Sequence, residues 1–253
     1  MISDFSPLID RPPPLLMLPG TLCDGAVFKP LVEGLETLSP GSRRFLIETL
    51  AGGDTVEAVA ARILADAPAR FALLGFSLGG IVALAIAAAA PERVVGLALI
   101  DSNARDVPMQ DRAGRRAEAL QGAADLERHV GQTLWPRYVG QGARHNEDLK
   151  RTIVDMALRG GPAALMTQTD IGLSRPDSRQ RLAALGMPAL VLAGEEDALC
   201  APQMQREIAE RLPSAALELI PDAGHFALLE QSAATARHVA SWLDRVRATL
   251  ASA

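Results

Sequence analysis

The stretch Gly75-Phe76-Ser77-Leu78-Gly79-Gly80 constrains this chain more than any other. The short apolar run before it, Phe71 to Leu74, reads as a buried strand. The longer Ala- and Leu-rich run after it, Ile81 to Ala90, reads as a helix. A strand that turns into a helix this sharply strains the backbone of the central residue and brings the strand and helix backbones almost into contact. Glycines two before and two after the serine suit that turn because they carry no Cβ. The Ser77 hydroxyl then stands clear of the sheet edge, and the Leu78 N–H sits at a helix start, where backbone donors lack internal partners. Chance alone gives roughly 0.1 matches to the bare five-residue pattern in a chain of this length. The flanking strand and helix therefore carry the reading, and the rest of the chain must supply a base and an acid.

The 253 residues suit one α/β domain with an insertion, or two small domains. Residues 1–13 are polar and run into Pro12-Pro13-Pro14, an extended lead-in. Leu15 to Leu18, ended by Pro19-Gly20, is a buried strand. Ala26 to Leu38 reads as helical, interrupted at Pro30, and Arg43 to Glu48 as the next strand. Asp54 or Thr55 caps a helix whose apolar face holds Val56, Val59, Ala60, Ile63, Leu64 and Ala67. Arg70 to Gly75 is the strand into the serine turn, and Val94 to Ile100 is another buried strand, ending at Asp101.

From about Asn103 to Leu185 the strand–helix alternation stops and only helical patterns recur, at Ala113–Leu120, Leu126–Leu134 and Leu149–Leu158. It resumes with a strand at 188–193, a helix over 202–211, a strand over 215–220 and a helix over 232–250. Repeated strand–helix units predict a parallel sheet covered on both faces, with loops that carry function at the strands' carboxyl ends. Residues 1–102 and 186–253 then form the core, and residues 103–185 a helical cap over that same end.

Net charge −5 argues against nucleic acid or an anionic membrane as the main partner. Two cysteines, Cys23 and Cys200, make no disulfide framework, and packing roles are expected for both. The first residues show no signal peptide and no apolar run is long enough to span a bilayer, so a cytoplasmic setting is expected. There is no metal-ligand spacing and no dinucleotide-binding glycine pattern, so neither a metal nor a cofactor is expected. The sequence carries no sign of oligomeric state.

A serine hydroxyl needs a base to take its proton, a group to orient that base and donors for the oxyanion. The base candidate is His225, after a strand and in the chain order Ser, Asp, His. His129 and His145 fall in the insertion and His238 in the last helix, where surface or packing roles are expected. The acid candidate is Asp197, just after the 188–193 strand, with Asp101 as its rival. The oxyanion donors are the N–H groups of Leu78 and of Thr21, with Leu22 as the alternative to Thr21.

Taken together, Pro19-Gly20-Thr21, Gly75-Phe76-Ser77-Leu78-Gly79-Gly80, Gly194-Glu195-Glu196-Asp197 with Pro202, and Gly224-His225-Phe226 with Glu230 resemble the motifs of the α/β-hydrolase superfamily across almost the whole chain. The oxyanion loop departs from the commoner His-Gly by having Pro-Gly. The resemblance implies a mostly parallel sheet of about six strands with the family's first two strands missing or vestigial, plus a helical cap and no cofactor. It also implies a small-molecule ester or lactone as substrate, water as co-substrate, and a Ser77-His225-Asp197 triad working through an acyl-enzyme. Carbon–carbon bond cleavage, thioester hydrolysis, perhydrolysis, or a non-catalytic small-molecule receptor are the alternatives on this fold. Ser77 stands where dehalogenases and epoxide hydrolases of the fold carry Asp. Candidates for lining the substrate pocket are Phe76, Asn103, Trp135, Tyr138, Met156, Met166 and Phe226.

Overall fold

The computed structural model describes residues 12–252 except residue 42. The expectation that two leading strands are missing or vestigial falls mainly on residues 1–11, outside the described residues.

The chain lays down β1 (Leu15–Leu18), a 3₁₀ turn (Gly25–Phe28), α1 (Lys29–Leu38), β2 (Phe45–Ile47) and α2 (Val56–Asp66). Next come β3 (Phe71–Phe76), α3 (Leu78–Ala89) and β4 (Val94–Ile100). The helical interruption that the sequence places at Pro30 falls instead between the 3₁₀ turn and α1. Pro30 sits in the first turn of α1, where its missing N–H costs nothing. Thr55, not Asp54, caps α2, its hydroxyl accepting from the Ala58 N–H at 3.2 Å.

Seven helical pieces follow before the sheet resumes, two of them the short 3₁₀ turns Gln141–Ala143 and Leu182–Ala184. The other five are α4 (Met109–Ala124), α5 (Leu126–Arg128), a π-helical turn (His129–Leu134), α6 (Trp135–Tyr138) and α7 (Glu147–Ser174). Helix α7 runs well past the expected Leu158. It breaks at Gly161, whose φ of 77° only glycine adopts cheaply, and Pro162 starts its second half. The core then closes with β5 (Ala189–Gly194), α8 (Pro202–Arg211), β6 (Ala215–Ile220), a short α9 (Ala227–Glu230) that the sequence did not foretell, and α10 (Ser232–Ala251).

The six strands form one parallel sheet in the order β2-β1-β3-β4-β5-β6. Successive side chains alternate between its faces. Leu15, Met17, Leu74, Phe76, Ala98 and Ile100 pack with α1 and α10 on one side, around the buried Trp242. Leu16, Leu18, Leu73, Leu97, Leu99 and Val191 pack with α2, α3 and α8 on the other. Both faces are covered, so the central strands read as unbroken apolar runs rather than alternating ones. Helix α3 is apolar on nearly every side because it is buried between the sheet, α2 and α7. Among the described residues no helix is long and apolar enough to cross a membrane.

The strand order reverses between β1 and β3. In open α/β sheets a crevice forms beyond the carboxyl ends of the strands at such a switch point. The loop after β1 and the turn after β3 both open into it.

Candidate active site

Ser77 joins β3 to α3 with φ 52° and ψ −116°, a conformation that side-chain-bearing residues avoid. Its surroundings hold it there. The Ser77 N–H donates to the Ile100 carbonyl at 2.9 Å, and the Ser77 carbonyl accepts from the Gly80 N–H and from the Ser102 hydroxyl, each at 2.9 Å. A Cβ on Gly75 would lie 2.4 Å from the Gly79 carbonyl oxygen, and one on Gly79 would lie 2.2 Å from the Leu18 carbonyl oxygen. The turn therefore needs both glycines, as the motif implied.

The Ser77 hydroxyl lies 2.9 Å from His225 Nε2. His225 Nδ1 lies 2.8 Å from Asp197 Oδ2, and both residues are buried. The other carboxylate oxygen of Asp197 accepts from the N–H groups of Leu199, at 2.7 Å, and Cys200, at 2.9 Å. Burial pushes the Asp197 carboxyl up. The imidazole and these two amides outweigh burial and hold it below the ordinary aspartate value.

Asp101 is close by and fully buried but makes no hydrogen bond to His225. Its Oδ1 accepts from the Gly194 N–H at 2.9 Å, at the root of the loop that carries Asp197. Its Oδ2 has no partner among the described residues. Burial first, then the charge of Asp197, raise its carboxyl well above the ordinary value. Asp101 thus serves the acid loop rather than the imidazole.

A cavity of about 430 Å³ opens above Ser77, between the sheet edge and the inserted helices. Phe76, Asn103, Tyr138 and Phe226 line it, and so do Thr21 and Leu78, the two residues read as oxyanion donors. Phe76, Tyr138 and Phe226 also box in the imidazole, with ring centroids 5.4, 6.3 and 5.9 Å from that of His225. Leu22 does not line this cavity, and its N–H is taken by Gln168 Oε1 at 2.7 Å. The Thr21 N–H meets no acceptor among the described residues.

Three expected lining residues do not reach the cavity. Trp135 is buried with its indole N–H on the Arg144 carbonyl at 3.0 Å. Met166 packs half-buried against the core, and Met156 faces a separate cavity beside Leu22. Conversely, His129 was expected at the surface or in packing but forms part of the wall, with Gly122 leaving room for its ring. Gln168 and Arg175 also line the cavity and carried no sequence signal, and Arg115, which the short Arg115-Arg116 cluster reads from sequence as part of a solvated face, lines it too.

Glu230 organises the histidine loop. Its carboxylate accepts from the N–H groups of Gly224 (2.9 Å), Phe226 (3.2 Å) and, across in the insertion, Gly140 (2.7 Å). Asp197, Cys200 and His225 bring three possible metal-ligand atoms within 4.8 Å of one another. Two of them are already engaged with each other, and burial raises the Cys200 thiol well above its ordinary value, so this donor set suits a proton relay better than an ion. Burial raises the Cys23 thiol as well, as expected of packing residues.

Three comparisons bear on this geometry. A family model described as the alpha/beta hydrolase family matches residues 15–238. A pimeloyl-(acyl-carrier protein) methyl ester esterase from Xanthomonas campestris pv. campestris is 34% identical over 233 residues, which is 86% of this chain and 90% of the relative. Among solved structures, a thermophilic esterase from Thermogutta terrifontis superposes with a TM-score of 0.80 at 27% identity, over 93% of this chain and 91% of that one. An enol-lactonase from Burkholderia xenovorans shares the fold with a TM-score of 0.79 at 21% identity, over 92% of each chain.

Proposed function

The chain belongs to the alpha/beta hydrolase family, and from that premise we propose that it hydrolyses a small-molecule carboxylic ester with Ser77 as nucleophile, His225 as general base and Asp197 as the acid that orients it. The observation that carries this reading is the unbroken relay from Asp197 Oδ2 through His225 to the Ser77 hydroxyl. Asp197 takes the Nδ1 proton as its hydrogen-bond partner, which leaves Nε2 free to accept from Ser77. As Ser77 Oγ attacks the ester carbon, its proton passes to Nε2, and the carbonyl oxygen becomes an oxyanion held by the N–H groups of Leu78 and Thr21. Collapse breaks the bond to the alcohol, which leaves with the proton from Nε2. Water then gives its proton to Nε2 and attacks the acyl-enzyme, and the acid is released as Ser77 regains its proton.

The esterase names of the relatives favour this over carbon–carbon cleavage, thioester hydrolysis, perhydrolysis or a receptor role. Residues 103–185 act as the cap that shapes the cavity. A short alkyl ester, such as the methyl ester in the Xanthomonas relative's name, is the first substrate to try. We place the protein in the cytoplasm, a reading supported by its two free cysteines. The test pairs fluorophosphonate labelling with hydrolysis of short and medium p-nitrophenyl esters, in the parent protein and in Ser77→Ala. Both signals should vanish together in the variant. A folded Ser77→Ala that hydrolyses at the parent rate ends the assignment.

A further inference from the structure

The insertion side of the Ser77 cavity is walled by cations, and one of them is buried without a counter-ion. Arg175 follows directly on α7, is 8% exposed and lines the cavity. Its Nε donates to the Arg105 carbonyl at 2.8 Å. Among the described residues its two terminal nitrogens meet no acceptor and no carboxylate lies within ion-pairing range. Arg115 of α4 shares the same wall and also has no ion pair among the described residues.

The remaining arginine on that wall, Arg137, is matched by Glu118 at 3.7 Å, and Glu118 is the one carboxylate besides the triad's neighbourhood to face the cavity among the described residues. Several other arginines of the insertion are matched too, Arg105 with Glu207, Arg116 with Asp170 and Arg159 with Asp24. Arg112, Arg128 and Arg144 also have no ion pair among the described residues, but they do not line this cavity. Burial first, and Arg115 next, pull the Arg175 guanidinium down to about 10, so it stays charged at neutral pH.

A buried guanidinium without an anion is costly, and two like charges facing one space raise the cost. An oxyanion brought in by a ligand would remove both penalties, and the planar fork of Arg fits a carboxylate with two parallel hydrogen bonds. The same cavity also offers apolar wall, with Ile81, Val107 and Leu173. We propose that the cavity takes a half-ester, a short apolar chain with the scissile ester at Ser77 and a free carboxylate at the far end, gripped by Arg175 with Arg115 beside it. This rests on the Ser77 reading above and names the substrate class for it.

The test compares kcat/KM for monomethyl esters of straight-chain dicarboxylic acids with methyl esters of monocarboxylic acids of matching length, at low salt. The parent protein should favour the half-ester at least tenfold at one chain length. The ratio of the two should fall at least tenfold in Arg175→Gln, and should also fall in Arg115→Gln, an exposed position that tolerates replacement should the first variant fail to fold. A parent ratio near one, or a ratio unchanged in the variants, overturns the proposal. Turnover that survives Ser77→Ala overturns the nucleophile reading instead. Calorimetric binding of half-ester and neutral ester to that variant then tests the arginines alone: equal affinities count against them and a half-ester preference for them.

Discussion

Gln168, on the second half of α7, accepts a hydrogen bond from the backbone N–H of Leu22 at 2.7 Å. A helix of the insertion thereby fixes the loop after β1, and it does so at a residue whose own φ is 57°. With the Leu22 donor engaged, the neighbouring Thr21 lines the cavity with an N–H that meets no acceptor among the described residues. Gln168→Leu removes the acceptor at similar size and lets that loop relax. We expect kcat to fall about tenfold, equivalent to about 1.4 kcal/mol, with KM changed much less. Steady-state kinetics on a short methyl ester checks it, and an unchanged kcat would show that the loop holds its shape without the cap.

Asp197 and Asp101 make a paired prediction. Asp197→Asn spoils the imidazole tautomer and should cut kcat by about 10⁴, the scale of the same swap in serine proteases. Asp101→Asn should keep activity, because Asp101 bonds to the Gly194 N–H and not to His225. It should also change the pH dependence of stability. The Asp101 carboxyl is raised well above its ordinary value in the fold, by burial first and Asp197 second, while the unfolded chain ionises it at about pH 4. Above about pH 4 the folded state therefore holds the extra proton, and stability drains as pH rises, by at most about 1.4 kcal/mol per pH unit. The amide variant escapes this drain. Its melting temperature relative to the parent should climb from pH 4 to pH 8, and a flat difference would mean that Asp101 is ionised in the fold.

The sheet and the three relay residues were legible because their signals are local. Each of Ser77, Asp197 and His225 sits just past a strand and within three residues of a glycine that lets two backbones meet. The wall of the cavity was not legible because it is made across the fold. Leu22 and Gln168 meet although 146 positions separate them. Trp135 and Tyr138 lie in one short helix, yet only Tyr138 turns to His225. A π-helical turn at His129–Leu134 lies just before them and changes the helical phase there, which no run of apolar spacing in this sequence announces. Arg175 stands out only when the carboxylates around it are located, which no spacing rule does.

Glu230 ties three backbone donors, Gly140, Gly224 and Phe226, to one carboxylate and so joins the insertion to the histidine loop. Glu230→Ala leaves those donors without their acceptor and should destabilise the fold by about 2–3 kcal/mol. Activity should fall further than the folded fraction does, because His225 is flanked on both sides by residues the carboxylate holds. Glu230→Gln keeps one acceptor oxygen and should recover part of both losses. Denaturant melts beside kinetics on the folded protein separate the two effects. Full activity per folded molecule in Glu230→Ala would limit this carboxylate to stability.

Ser77 trades stability for position. A residue with a side chain at φ 52° and ψ −116° carries strain of about 1–3 kcal/mol, and the bonds from Ile100, Gly80 and Ser102 around its backbone keep it from relaxing. Glycine adopts that conformation without a Cβ penalty, although it also makes the unfolded chain more disordered. Ser77→Gly should therefore abolish turnover while raising stability by about 1 kcal/mol, or about 2–4 °C in melting temperature for a chain of this size. Ser77→Ala keeps the Cβ and should lose turnover without that gain. Calorimetric melting of the parent and both variants decides the matter: if glycine and alanine melt together, the strain at the turn is not stored in the Ser77 backbone, and the tight approach of Gly75 to Gly79 carries it instead.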